Sequence, residues 1–135
     1  MESEVICIDS CVLIDYYRAK EKSNTLFVQL SREGKKFAFS SIVIYEVLRG
    51  QHNDFFDKLF SHPDTQILSF DYQTARIASD IYLQLRNKNQ GKKLDAALID
   101  DILIAASSIQ HNLPLSTTNS KHFEKIEGLT LYSLQ

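Results

Sequence analysis

Tryptophan is absent from this sequence, and cysteine, proline and glycine are scarce: two, two and four residues among 135. So few breakers leave no candidate linker and no low-complexity segment, and residues 1–135 are expected to form one domain. A chain of this length buries roughly two-thirds of its unfolded surface and needs no staples. Cys7 and Cys11 fall within one short stretch and read as small core residues rather than a disulfide. No apolar run approaches the roughly 18 residues of a membrane span, and no signal-peptide pattern opens the chain. These absences predict a soluble protein in a reducing, cytoplasmic setting.

An excess of either charge is also missing. Fifteen Lys and Arg stand against 17 Asp and Glu, a net charge of -2. The field of the whole molecule therefore attracts no polyanion, and a nucleic acid has to be held by a local patch. The stretch from Arg86 to Lys93, basic with no acidic residue, is the candidate. It reads equally well as a solvated loop between two helices. There is no Gly-x-Ser-x-Gly elbow, no glycine-rich phosphate loop and no Cys/His metal cluster. The histidines, His52, His62, His111 and His122, show no spacing that pairs two as acid and base. His122 reads as structural.

What is present is an alternation of strands and helices. Val5 to Ile8 is continuously apolar, as a strand covered on both faces should be. Helical patterns follow over Val12 to Tyr17, Asn24 to Glu33 and Ile42 to Leu48, with Phe37 to Phe39 as a strand running into the candidate caps Ser40 and Ser41. A helix from Asn53 to Phe60, a strand from Thr65 to Phe70 and a long helix capped by Asp71 come next. Leu94 to Gln110 is a largely apolar helix, and Pro114 to Thr117 and Leu129 to Tyr132 read as short closing strands. This order predicts a three-layer α/β/α sandwich around a mainly parallel sheet.

Ligands collect outside the carboxyl ends of parallel strands, and three acids fall near such ends. Asp9 follows the first strand, Glu46 interrupts an apolar helix, and Asp100-Asp101 breaks the run from Ala96 to Ala106. Two carboxylates 4 Å apart repel by about 4 kcal/mol at an effective dielectric of 20, so convergence requires a cation, a shared proton or a basic partner. An all-oxygen set suits Mg²⁺ or Mn²⁺. Each acid also has a structural alternative: Asp9 as a helix cap, Glu46 paired with Arg49, and Asp100 or Asp101 as first-turn acids favoured by the helix dipole. Periodicity does not separate Asp100 from Asp101. A phosphoacceptor domain is a further alternative, disfavoured because no lysine ends a late strand.

Four motifs resemble those of PIN-domain nucleases, and within them the VapC-type toxins of toxin–antitoxin pairs. The first is Ile8-Asp9-Ser10-Cys11-Val12-Leu13-Ile14, and the second runs from Ser41 to Glu46-Val47-Leu48-Arg49-Gly50. The third, Asp101-Ile102-Leu103-Ile104-Ala105-Ala106, favours Asp101 over Asp100, and the last is Thr117-Thr118-Asn119-Ser120-Lys121-His122-Phe123. The resemblance implies metal-dependent cleavage of RNA, with Asp9, Glu46 and Asp101 holding Mg²⁺ or Mn²⁺. It further implies that Asn119 completes the shell while Ser10 and Thr117 support the acids. Arg18, Arg49, Lys88, Lys92, Lys93 and Lys121 are the candidates for steering the RNA backbone. A homodimer silenced by a cognate antitoxin is implied as well, with the aromatics Tyr16, Tyr17 and Phe55-Phe56 as either its contact surface or simply core, core being the reading for Phe56. Two positions depart from the pattern. Cys11 stands where Asn is frequent, which removes a polar group that helps fix the first acid, and Asn119 offers a carbonyl oxygen without charge. The alternative within the same fold is a catalytically weakened module that binds RNA or a partner.

Overall fold

The computed structural model describes residues 4–50 and 53–134, so His52 lies outside the described residues. A strand β1 (Val5–Ile8) leads into α1 (Ser10–Arg18), a 3₁₀ turn (Lys22–Asn24) and α2 (Leu26–Arg32). Then come β2 (Lys36–Ser40), α3 (Ser41–Gly50), α4 (Asp54–Ser61) and β3 (Gln66–Leu68). The chain closes with α5 (Tyr72–Lys88), α6 (Ala96–Gln110), β4 (Leu115–Ser116) and the single turn α7 (Ser120–Phe123). The strands order as β3-β2-β1-β4 and every pair is parallel, the central sheet of an α/β/α sandwich. Among the described residues no helix is long and apolar enough to cross a membrane.

β1 is central, and its uninterrupted apolar run has its cause there: Ile6, Cys7 and Ile8 are buried, with helices on both faces. Phe39 of β2, Leu13 of α1, Leu30 of α2, Phe56 of α4 and Phe123 of α7 fill the same core. Parallel pairing puts the ends of β1, β2 and β4 on one edge, so Asp9, Ser40 and Thr117 leave the sheet together.

Side-chain caps set the helix starts. Ser40 rather than Ser41 caps α3, its Oγ accepting from Val43 N at 3.1 Å. Asn53 Oδ1 accepts from Phe56 N at 3.1 Å, and Asp71 and Thr74 form a reciprocal capping box at the start of α5. Gln110, the last residue of α6, reaches Asp71 and Thr74, so α5 and α6 run antiparallel and tied end to end. The expected helix from Asn24 is divided by Thr25, whose extended backbone separates the 3₁₀ turn from α2. Lys22 in that turn donates to the carbonyls of Tyr16, Tyr17 and Ala19 at 2.7, 3.0 and 3.3 Å, satisfying the end of α1.

The closing strand expected over Leu129 to Tyr132 is not formed. Leu131 makes one isolated bridge to Leu115, with Leu115 N on Thr130 O and Tyr132 N on Leu115 O. β4 offers only two residues before the chain turns toward α7, so the partner ladder ends after one rung.

Candidate active site

The end of β1 fixes the first acid. Asp9, 4% exposed, receives its own backbone anchor when its N–H donates to Ser116 O of β4 at 3.0 Å. Its Oδ1 accepts from Ser10 N at 2.8 Å, and its Oδ2 accepts from the Thr117 hydroxyl at 2.7 Å and the Cys11 thiol at 3.2 Å. Asp9 is therefore both the cap of α1 and a carboxylate oriented from two strands. The expectation that Cys11 leaves a gap is corrected. Its sulfur also accepts from Thr118 N at 3.4 Å and lies 3.5 Å from Thr117 Oγ1, linking the ends of β1 and β4. Burial, and next the Asp9 charge, push the Cys11 thiol up, which keeps the S–H proton available for donation.

Glu46, in the second turn of α3, is brought to the same edge. Its Oε1 is buried and has no hydrogen-bond partner. Burial raises its carboxyl above the ordinary range, the charges of Asp100 and Asp9 add to that, and Ser10 and Arg49 oppose it. Arg49 itself lies over the Tyr45 ring, 5.1 Å from its centroid. An unpartnered buried carboxylate oxygen carries a cost of about 1 to 3 kcal/mol or more unless something binds it.

Asp101 arrives from the second turn of α6. The first-turn alternative for this residue fails because Asp95 caps the helix, accepting from Leu98 N at 2.8 Å, and Asp101 is the sixth helical residue. Burial and the charge of Asp9 push the Asp101 carboxyl up to about 6, with Glu46 adding to the rise and His122 opposing it. His122 Nδ1 sits 3.4 Å from Asp101 Oδ2, with the carboxylate side chain 17% exposed and the imidazole 57%. His122 thus contacts the site directly, beyond the structural role the sequence suggested. The charge of Asp100 acts on Glu46 and Arg49, and Glu46 acts on Asp101 as well, so it is the contact with His122 that marks Asp101.

The charges of Asp9 and Glu46 thus act on Asp101, and those of Asp9 and Asp100 act on Glu46, with Ser10 and Thr117 beside Asp9. Among the described residues no three acid, histidine or cysteine groups stand close enough to enclose an ion as they are. The donors are all oxygen and one of them is buried and unsatisfied, which fits a hard divalent cation. Asn119 follows on the β4 end, its backbone N–H donating to Thr117 Oγ1 at 3.0 Å and its exposed side chain making no cap on α7.

The basic candidates divide. Lys121 lines the hollow beside Asp101 and His122, joined by Lys125, which no motif marked. Lys88 and Lys93 line the next hollow along. Arg18 ends α1, roughly 12 Å of helix rise from Ser10, and Lys92 is exposed in the loop, lining neither hollow.

The PIN domain family model matches residues 6–129, a span that contains every one of these side chains. The chain belongs to the PIN-domain family. Ribonuclease VapC1 of Methanocaldococcus jannaschii is 34% identical over 140 residues, covering 97% of this chain and 89% of that protein. Ribonuclease VapC19 of Mycobacterium tuberculosis is 29% identical over 127 residues, covering 90% and 94%. VapBC-1 from nontypeable Haemophilus influenzae contains a chain that superposes on this PIN domain with a TM-score of 0.71 at 18% identity, covering 96% and 97%. VapBC from Salmonella typhimurium, solved with bound DNA, does so with a TM-score of 0.69 at 18% identity, covering 97% and 98%.

Proposed function

We propose that this PIN domain is a metal-dependent endoribonuclease and the toxin of a two-component toxin–antitoxin pair. The observation that supports the reading is the buried, unpartnered Glu46 Oε1, which lies under the charge of Asp9, while Asp101 lies under the charges of Asp9 and Glu46. Asp9, Glu46 and Asp101 would hold Mg²⁺ or Mn²⁺. When bound, such an ion supplies charge neutralisation at the phosphodiester and a more acidic attacking water.

The chain's own residues do the rest. Thr117 and Cys11 hold Asp9 in one rotamer, so its free lone pairs face the site without a reorganisation cost. Ser10 favours the charged form of Glu46, and His122 favours that of Asp101, each opposing the rise that burial imposes. Asn119 presents a neutral carbonyl oxygen at the mouth, suited to a water or a ribose hydroxyl rather than to a second full charge. Relatives named ribonuclease VapC support RNA as the substrate, and the complexes named VapBC support a small antitoxin partner. A homodimer acting in the cytoplasm completes the reading.

The test is cleavage of total RNA and of a tRNA pool by Asp9→Asn, Glu46→Gln and Asp101→Asn proteins. Each is expected to lose fragment production while keeping the wild-type circular dichroism spectrum. Wild-type levels of cleavage in all three would remove the reading.

A further inference from the structure

The groove that starts at the acids does not stop there. The hollow beside Asp101, lined also by Lys121 and His122, shares Asp95, Leu98 and Lys125 with a larger cavity of about 470 Å³. That cavity has an aliphatic floor, Leu85, Leu94 and Leu98, and a rim of Lys88, Lys93 and Asn89. Leu85 and Leu94 are 6% exposed and so form a rigid floor. Four lysines therefore line two connected hollows that begin at Asp101: Lys121 and Lys125 in the first, and Lys125, Lys93 and Lys88 in the second.

The basic loop is shaped for this. Arg86 Nε donates to Gly91 O at 3.0 Å, and Gln90 and Gly91 both adopt positive φ, 58° and 75°. The loop folds back on the end of α5, which sets Lys88 and Lys93 around one cavity. Arg86 is consumed in holding that shape. Of the two acids nearby, Asp95 is engaged in capping α6 at 2.8 Å, and Glu127 lies 3.5 Å from Lys88 with both side chains well exposed.

We propose that this cavity seats one unpaired base of the RNA next to the cleaved phosphate, with Lys93, Lys125 and Lys121 on the intervening backbone. The inference rests on the ribonuclease reading and adds to it a base-binding subsite built from this chain's own residues. The volume suits one nucleotide-sized group. The aliphatic floor covers a base face, the Asn89 carboxamide can donate to and accept from a base edge, and the lysines match the phosphates. A paired base would have to be pulled from its stack to enter, so single-stranded or looped RNA is selected over duplex. Continuity with the acids favours RNA over an acidic polypeptide as the occupant.

The experiment measures anisotropy of a labelled 12-nucleotide single strand on purified, partner-free protein in EDTA, so that nothing is cut. Lys93→Glu/Lys125→Glu is expected to weaken binding at least tenfold and to lower the salt slope by about 1.4, two contacts at ~0.7 each. Leu98→Trp, which fills the cavity without changing charge, should weaken the single strand at least threefold and leave duplex binding unchanged. Lys36→Glu/Lys58→Glu, the same charge change away from the groove, should shift affinity less than threefold. Equal losses in the two double variants, or equal displacement of RNA by polyglutamate at matched charge, would overturn the proposal. Cleavage by wild type in Mn²⁺ is scored separately. Cleavage with lysine-independent binding removes only this inference, and lysine-dependent binding without cleavage removes only the nuclease reading.

Discussion

The Cys11 thiol and the Thr117 hydroxyl donate to the same oxygen of Asp9, at 3.2 and 2.7 Å, one from the first turn of α1 and the other from just past the end of β4. Outer partners of this kind orient a ligand and typically change metal affinity by about 10- to 100-fold when removed. Cys11→Ala, which leaves Thr117 in place, is expected to weaken Mn²⁺ binding about tenfold. Cys11→Ser keeps a donor and should stay within a few-fold of wild type. Isothermal titration with Mn²⁺ reads both.

The raised Asp101 carboxyl predicts how stability follows pH. Its value rises from 3.8 to about 6 on folding, so between those values the folded chain binds more protons than the unfolded one. The contribution is complete below pH 3.8 and is lost as pH rises through about 6. In the metal-free protein, Asp101→Asn should therefore raise the Tm at pH 7.5 and flatten its fall between pH 5 and pH 7.5. Mn²⁺ should raise the wild-type Tm at pH 7.5 and have little effect at pH 5, because the ion competes with the proton. His122→Gln removes the group that lowers the Asp101 value, so the midpoint of the metal-free curve should move upward in pH. Thermal melts over this range decide all three.

Ser40 joins the strand end to the helix that carries Glu46. Ser40→Ala removes the acceptor for Val43 N in a buried cap and should cost about 1 to 2 kcal/mol in urea unfolding. Loss of cleavage per folded molecule is expected alongside, since Glu46 rides on the same helix.

Gly34 tests a position with no role in the site. Its φ of +76° closes α2, with open space where a Cβ would go. Gly34→Ala should cost about 1 to 2 kcal/mol from backbone strain alone, leaving cleavage by the folded protein unchanged.

Much of the fold was legible because each level of the sequence agreed with the next. The apolar run of β1, the cap at Asp71 and the alternation of strands with helices all point to a parallel sheet, and the sheet then places Asp9 and Thr117 on one edge. The segment from 129 to 132 has the apolar pattern of a strand yet forms a single bridge, because that pattern says nothing about the length of its partner and β4 is only two residues long. Asp101 and Asp100 could not be separated by periodicity, since both have apolar neighbours a turn away. What sets Asp101 apart is tertiary: its carboxylate meets His122 and lies under the charges of Asp9 and Glu46, while the charge of Asp100 acts on Glu46 and Arg49. Cys11 looked like a loss because its residue type is usually apolar, and only the geometry shows the thiol as a donor. Lys125 carried no local signal, because it joins the groove through the packing of α7 against α6.

Asp9, Glu46 and Asp101 are proposed to form a cation-dependent RNA-cleaving site. The most direct measurement incubates the purified chain, free of any bound partner, with total RNA in Mn²⁺, in Mg²⁺ and in EDTA, beside Glu46→Gln. Discrete fragments that require the divalent ion and vanish in Glu46→Gln are the predicted result. Fragments that persist in EDTA, or RNA left intact by a protein that binds Mn²⁺, would contradict it.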